Sequence, residues 1–425
     1  MTAPVVSVVI PAFGWPEALR LSLASALSQR DVPVEILVSG DACPLSEAVV
    51  EAAADPRVRF LNLATNSGSQ AAPNNAALAV ARGTYIAYLG QDDLWHPRHL
   101  VTLVAAAEAA GADVAYSVCL VFGADTPGAL AVSGRALPTT DGFFVPPTSL
   151  LHRADLVGRI GPWRDPRTET LPVDHELLAR AQRSGATFAA TGCVTAFKWP
   201  SAWTVDAYRT RDVSRQQAMA AALAVDAAAV VERELVATLG HAIAGRLRPL
   251  RLPDGLQPGD AADYNRVRRG LAPFAPLTPQ VDVALDRPLI AGDGWFAPET
   301  DARGTFRWMG QQATLTVPID ARGALRLRTC VRFHLADDQR AGLRVLAGNT
   351  ALPLRWMPDP QGGAWAEALM PAELACAEPG RVRLTFETTR AIVPAEAQPP
   401  SRDTRALGLA ISRVVLEPAQ PAPGR

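Results

Sequence analysis

The sequence predicts an α/β domain built on a mostly parallel, Rossmann-like sheet, then a helical linker, then an all-β sandwich. Three observations carry this. Short apolar runs such as Val5–Ile10 alternate with helical stretches through the first hundred residues. Strands buried on both faces read this way, and their alternation with helices makes the sheet parallel. From about Leu289 the pattern changes to period two, the mark of half-buried antiparallel strands. A chain of 425 residues also exceeds one ordinary core.

In chain order, Val5–Ile10 is the first strand, closed by Pro11. Pro16–Arg30 carries a helical stripe at Leu19, Leu23 and Leu27, and Pro16 suits a first helical turn. Glu35–Val38 is the second strand, Leu45–Ala54 a helix and Val58–Leu61 the third strand. Gln70–Ala81 is a helix with Pro73 in its first turn, Thr84–Leu89 the fourth strand, and a helix runs from about Pro97 to Ala109. Val213 to Arg246 is an Ala-rich helical segment, and residues 248–290, rich in Pro, Asp and Gly, read as a linker or extended brace. Beyond them Ala313, Leu315, Val317 and Ile319 alternate with polar partners. So do Leu325, Leu327, Thr329, Val331 and Phe333, and later Val382, Leu384 and Phe386. The expected boundaries are 1–210 for the first domain, 211–288 for the helical segment and linker, 289–417 for the sandwich, and 418–425 for a disordered tail.

Composition narrows the function classes. Hydrophobic residues make up 48% and charged residues 20%, and the formal net charge is −1, which argues against a polybasic nucleic-acid surface. Lys198 is the only lysine among 41 basic residues. Cys43, Cys119, Cys193, Cys330 and Cys376 are scattered, odd in number and without a CxxC pair, so buried, reduced thiols in a cytosolic protein are expected. The opening MTAPVVSVVIPAF lacks the charged start of a signal peptide, and no apolar run approaches the roughly 20 residues of a membrane span.

In parallel sheets ligands sit beyond the carboxyl ends of the strands. Those ends read Pro11-Ala12-Phe13-Gly14, Ser39-Gly40-Asp41-Ala42-Cys43, Asn66-Ser67-Gly68-Ser69-Gln70 with Pro73-Asn74-Asn75, and Gly90-Gln91-Asp92-Asp93-Leu94-Trp95. Four polar clusters converge on one sheet edge, and two of them carry carboxylates. A lone Asp there would be only a helix cap; the set is harder to dismiss.

The stretch from SVVIPAF through VEILVSGDAC to NSGSQAAPNNAALAVARGTYIAYLGQDDLWHPRHL resembles the family 2 glycosyltransferases with the GT-A fold, over roughly residues 4–205. The resemblance implies a nucleotide-sugar in the strand-end cleft. Pro11, Ala12 and Phe13 match the segment along base and ribose. Asp41 matches the second Asp of the family's Asp-Asp-Gly-Ser, with Gly40 in place of the first. Asn66, Gly68, Gln70, Asn74 and Asn75 match the region bordering the donor. The family's DxD falls on Gly90, Gln91 and Asp92, so the first carboxylate is missing and Asp92 is the implied ligand of Mn²⁺ or Mg²⁺. Such a hard cation takes oxygen ligands, most of them from diphosphate and water. Asp93 reads as a cap or a water-mediated ligand, and His96 and His99 as residues at a helix start covering the cleft.

Val173-Asp174-His175-Glu176-Leu177 resembles the family's Glu-Asp-x-Asp/Glu-Leu, which implies Asp174 as the base that deprotonates the acceptor. Weaker acceptor candidates are Trp95, His175, Glu176, Lys198 and Trp199. Trp295, Phe296, Phe306 and Trp308 offer either a sugar-stacking surface or core aromatics. The resulting expectation is an inverting, metal-assisted glycosyltransferase of bacterial cell-envelope polysaccharide synthesis, with a nucleotide-sugar donor (UDP or dTDP) and a glycan or lipid-linked glycan acceptor. Peripheral membrane contact and homo-oligomerisation stay open. So does the alternative, a catalytically silent glycan-binding or scaffold protein on the same fold.

Overall fold

The structure is a computed structural model that describes residues 4–123, 127–133, 145–248, 250, 253–360, 362–397 and 400–419. The chain divides into two compact units, residues 1–252 with 257–261, and 253–256 with 262–425.

The first unit is α/β, with the strand–helix order its apolar runs predict. Strands β1 (Val6–Ala12), β2 (Val34–Gly40), β3 (Val58–Asn62) and β4 (Tyr85–Tyr88) are joined by helices α1 (Pro16–Leu27), α2 (Leu45–Ala53) and α3 (Ala71–Leu78). Pro16 opens α1, where a missing N–H costs nothing, and Ala18, Leu19, Ser22, Leu23 and Ala26 form its buried face. Then follow β5 (Leu94–Trp95), α4 (His99–Ala110), β6 (Val114–Val121), β7 (Ala131–Ser133), β8 (Leu150–Arg153), α5 (Leu156–Ile160), α6 (Val173–Arg183) and β9 (Phe188–Lys198). The sheet order is β3-β2-β1-β4-β8-β6-β9-β5, with β7 on β6. The first four strands are parallel. Beyond β4, strand β8 runs antiparallel to both its neighbours, which makes the sheet mixed rather than wholly parallel. Every residue of β2 and β4 is buried, as their sequences require. Helix α7 (Ala207–Thr210) and the longer α8 (Ser214–Val225) and α9 (Ala227–Ile243) complete this unit. No helix among the described residues is long and apolar enough to cross a membrane.

The second unit is mostly β, with its main core between two sheets. One sheet holds β11 (Trp295–Asp301), β12 (Gly304–Met309), β20 (Ala410–Pro418), β14 (Leu325–Phe333), β18 (Ala364–Met370) and β17 (Arg355–Pro358), with β10 (Val281–Ala284) on β20. The other holds β13 (Gln312–Pro318), β19 (Arg381–Glu387), β15 (Arg344–Ala347) and β16 (Thr350–Leu352). All pairs are antiparallel. Leu327, Val331, Ile411 and Leu416 of one sheet meet Leu315, Val317, Leu384 and Phe386 of the other. The stretch read as an extended linker contains a helix, Asp260–Arg268, and strand β10. Pro418, read as the start of a tail, ends β20, and Ala419 donates to the Ala324 carbonyl. The rest of that tail, 420–425, lies outside the described residues. Phe306 and Trp308 are buried and pack edge to face, so they are core rather than a sugar-stacking surface.

Candidate functional site

Parallel pairing sets Ala12 beside Gly40 and Gly40 beside Asn62 at one sheet edge. Phe13 follows β1 and is held there by Gln91. Its N–H donates to Gln91 Oε1 at 2.8 Å, and Gln91 Nε2 donates to its carbonyl at 3.0 Å. This buried amide pairs with the backbone as a neighbouring strand would. Its second N–H reaches Tyr208 Oη of α7 at 2.9 Å. The Tyr208 ring lies 6.1 Å from Phe13 and 5.8 Å from Trp15, centroid to centroid. Gly14, at φ +60°, donates to Cys43 Sγ at 3.2 Å. The ends of β1 and β2, the 90–93 loop and α7 are thereby one structure.

Asp41 is buried, and its carboxylate clamps the loop after β3. Oδ1 accepts from the Ser67 N–H at 2.7 Å and Oδ2 from the Gly68 N–H at 2.9 Å. Asn66 Nδ2 donates to the Asp41 carbonyl at 3.0 Å. Gly68 turns this loop at φ +74°, a conformation that favours glycine. Asn62 explains the missing first carboxylate. Its Oδ1 accepts from the Cys43 N–H at 2.9 Å, and a Cβ on Gly40 would stand 2.6 Å from that oxygen. Asn75 clips both backbone groups of Trp163 at 2.8 and 2.9 Å. Asn74 beside it is fully buried, with neither amide atom hydrogen-bonded among the described residues. An orphaned buried amide is costly, and such groups concentrate where a ligand or water completes them.

The 90–93 loop holds one wholly buried carboxylate. Asp93 has no exposed surface. Its Oδ2 accepts from Lys198 Nζ at 2.9 Å and from the Thr148 hydroxyl, and its Oδ1 from the Trp199 N–H at 3.0 Å. Burial lowers the Lys198 pKa, but the charges of Asp93 and then Asp92 outweigh it and raise the ammonium well above its ordinary value. Lys198 keeps about a fifth of its side chain exposed. A Cβ on Gly90 would sit 2.5 Å from Asp93 Oδ2, so the absent first Asp of the motif is space that Asp93 occupies. Asp92 lies between the two clamps and is half-buried. Among the described residues no three of His, Cys, Asp and Glu gather as a metal site.

Several residues expected near an acceptor are framework instead. Trp95 is buried, donates to the Thr148 carbonyl at 2.6 Å and stacks on His99 at 4.5 Å. His99 is also buried; its Nδ1 meets Thr195 Oγ1 at 2.7 Å, so it does not cover a cleft. Burial, with a smaller push from His96, lowers the His99 pKa to about 3. Glu176 is buried under Arg180, which bonds it at 2.8 Å and grips the backbone of Ile160, Gly161 and Pro162. Trp199 stacks on Phe122 at 5.0 Å. Helix geometry rather than an Asp starts α6, because Pro172 is its N-cap and Asp174 lies in the first turn. Asp174 is half-buried and accepts from the His175 N–H at 3.0 Å. Burial lowers the His175 pKa against the opposing charge of Asp174. Val173 packs in one cluster with Tyr88 and Trp163, which docks this helix start on the sheet beside the strand leading to Asp92. Tyr208, Thr148 and Asn62 had no motif to announce them.

Residues 7–153 match the model of Glycosyl transferase family 2. The Succinoglycan biosynthesis protein ExoO of Rhizobium meliloti (strain 1021) is 40% identical over 116 residues, 26% of this chain and 32% of that protein. The Poly(ribitol-phosphate) beta-N-acetylglucosaminyltransferase TarP of Staphylococcus aureus (strain N315) is 30% identical over 102 residues, 23% of this chain and 31% of that one. The chain thus spans about a third of the length of these curated relatives. Among solved structures, S. aureus TarS 1-349 aligns with a TM-score of 0.37 at 18% identity, over 46% of this chain and 61% of that one.

Proposed function

From a first unit that carries a glycosyl transferase family 2 domain, we propose that the chain moves a sugar from a nucleoside diphosphate to a glycan or lipid-linked glycan in bacterial envelope polysaccharide synthesis, in the cytoplasm and with inversion. The observation that carries this reading is the 90–93 loop, locked by Gln91 on one side and Asp93 on the other, with Asp92 presented between them. Phe13 and the 66–68 loop wall the base and ribose. Asp41 acts by holding that loop, because both its oxygens already accept backbone amides. Asn74 borders the donor with an amide that has no partner among the described residues. Asp92 would hold Mn²⁺ or Mg²⁺ on the diphosphate, and the cation would neutralise the charge that develops on the leaving group. Lys198 adds a fixed positive charge beside it.

At the acceptor, Asp174 takes the proton of the attacking hydroxyl. The new C–O bond forms at the anomeric carbon as the bond to the diphosphate breaks on the opposite face. Neutral His175 lies next to that base and can hydrogen-bond the acceptor. The names of the two relatives, one for succinoglycan and one for poly(ribitol-phosphate), support a polymer acceptor. A screen of nucleotide-sugars for release of nucleoside diphosphate, with a glycan acceptor mixture, tests the reading. Acceptor-dependent release from one donor is expected. No release from any donor, by folded protein, would move the reading to a silent glycan binder.

A further inference from the structure

Helix α9 is built inside out. Its buried residues are Val230, Glu234, Thr238 and His241. Thr238 Oγ1 accepts from the Ala129 N–H at 2.9 Å, and His241 Nε2 meets the Pro127 carbonyl at 2.6 Å. These bonds fix which way the helix faces. A Cβ on Gly128 would lie 2.8 Å from the Ala237 backbone, so that loop also sits tight against it. The outer face is apolar: Leu235, Val236, Leu239 and Ile243 are 42, 67, 59 and 80% exposed. A surface helix ordinarily shows the reverse pattern, and a contiguous stripe of this kind marks a face that something covers.

We propose that a second copy of the chain covers it, with the two α9 helices antiparallel about a two-fold axis through Leu239. In that pairing a residue n places before Leu239 meets the residue n places after it in the other copy. Leu235 then meets Ile243, Val236 meets Ala242, and Glu232 meets Arg246, all of them exposed. Offsets of three and four on either side of Leu239, and of seven on the N-terminal side, fall on one helical face. Arg246 is placed just past the helix end by its N–H bond to the His241 carbonyl at 2.8 Å. The stripe is thus self-complementary in charge at both rims, as an isologous two-fold interface requires. A parallel pairing would set Glu232 against Glu232. An anionic lipid surface would set Glu232 at one rim against like charge, whereas lipid-binding helices keep Lys and Arg around theirs. One helix of 17 residues offers a patch smaller than the roughly 800 Å² per partner of a standard interface, so the dimer is reversible.

Sedimentation velocity of the full chain over a wide range of concentrations tests this. The wild type should pass from monomer to dimer. Leu239→Arg, which puts two cations on the axis, should stay monomeric. Glu232→Arg and Arg246→Glu should each weaken the dimer several-fold, and the two together should restore it. A wild type monomeric at every concentration overturns the proposal. So does a double exchange as weak as the single ones, or a monomer that sediments with phosphatidylserine vesicles.

Discussion

Replacing Lys198 by Met should destabilise the first unit far more than replacing Asp93 by Asn. The structure sets the asymmetry. Asp93 is fully buried, so Lys198→Met strands its carboxylate with only the Thr148 hydroxyl and the Trp199 N–H. Breaking a buried ion pair from one side costs about 3–5 kcal/mol. Asp93→Asn keeps an acceptor for Thr148, and the Lys198 side chain it leaves behind is 20% exposed. That change should cost about 1–2 kcal/mol. At a urea slope of roughly 2 kcal/mol per molar, the Met variant's midpoint falls by about 2 M and the Asn variant's by less than about 1 M. Pulse proteolysis in urea, with fragment sizes reporting which unit opens, measures both midpoints. Equal losses, or a Met variant within 1 kcal/mol of wild type as judged by about 0.5 M in midpoint, would refute the clamp.

Asp174→Asn should lower turnover by about 10²–10⁴ while nucleotide affinity holds, read by steady-state kinetics beside a binding titration. Gly90→Asp, which restores the family's carboxylate, should destabilise by about 1–3 kcal/mol rather than improve catalysis, because its Cβ would stand 2.5 Å from Asp93 Oδ2. His99 is lowered from 6.5 to about 3, so its contribution to stability is present above pH 6.5 and is lost as pH falls toward 3. His99→Gln should therefore flatten the acid limb of a stability profile, measured by thermal melts between those limits.

The elements of the first hundred residues and the period-two strands β13, β14 and β19 were legible because their periods are strong. Continuous apolar runs alternating with helices read as buried parallel strands, and the alternation at Leu315, Val317 and Leu384 as one face of a sandwich core. The strand-end clusters were legible too, since topology alone puts them at one edge. What a motif could not tell was which carboxylate faces a ligand and which serves the framework. Asp41, Asp93 and Glu176 look like site residues in one dimension, yet each is spent on a backbone loop or a buried cation. The gaps at Gly40 and Gly90 look like lost function until Asn62 and Asp93 are seen beside them. Tyr208 joins the site through a fold-back of more than a hundred residues, which local pattern does not encode.

The central claim is a donor site centred on Asp92. Calorimetric titration of the full chain with UDP, GDP and dTDP, with and without Mn²⁺, tests it most directly, with Asp92→Ala alongside. The account predicts that one nucleotide binds, more tightly with Mn²⁺, and that Asp92→Ala removes the metal's contribution. No nucleotide binding by the folded wild type, or Mn²⁺-dependent binding unchanged in Asp92→Ala, would contradict it.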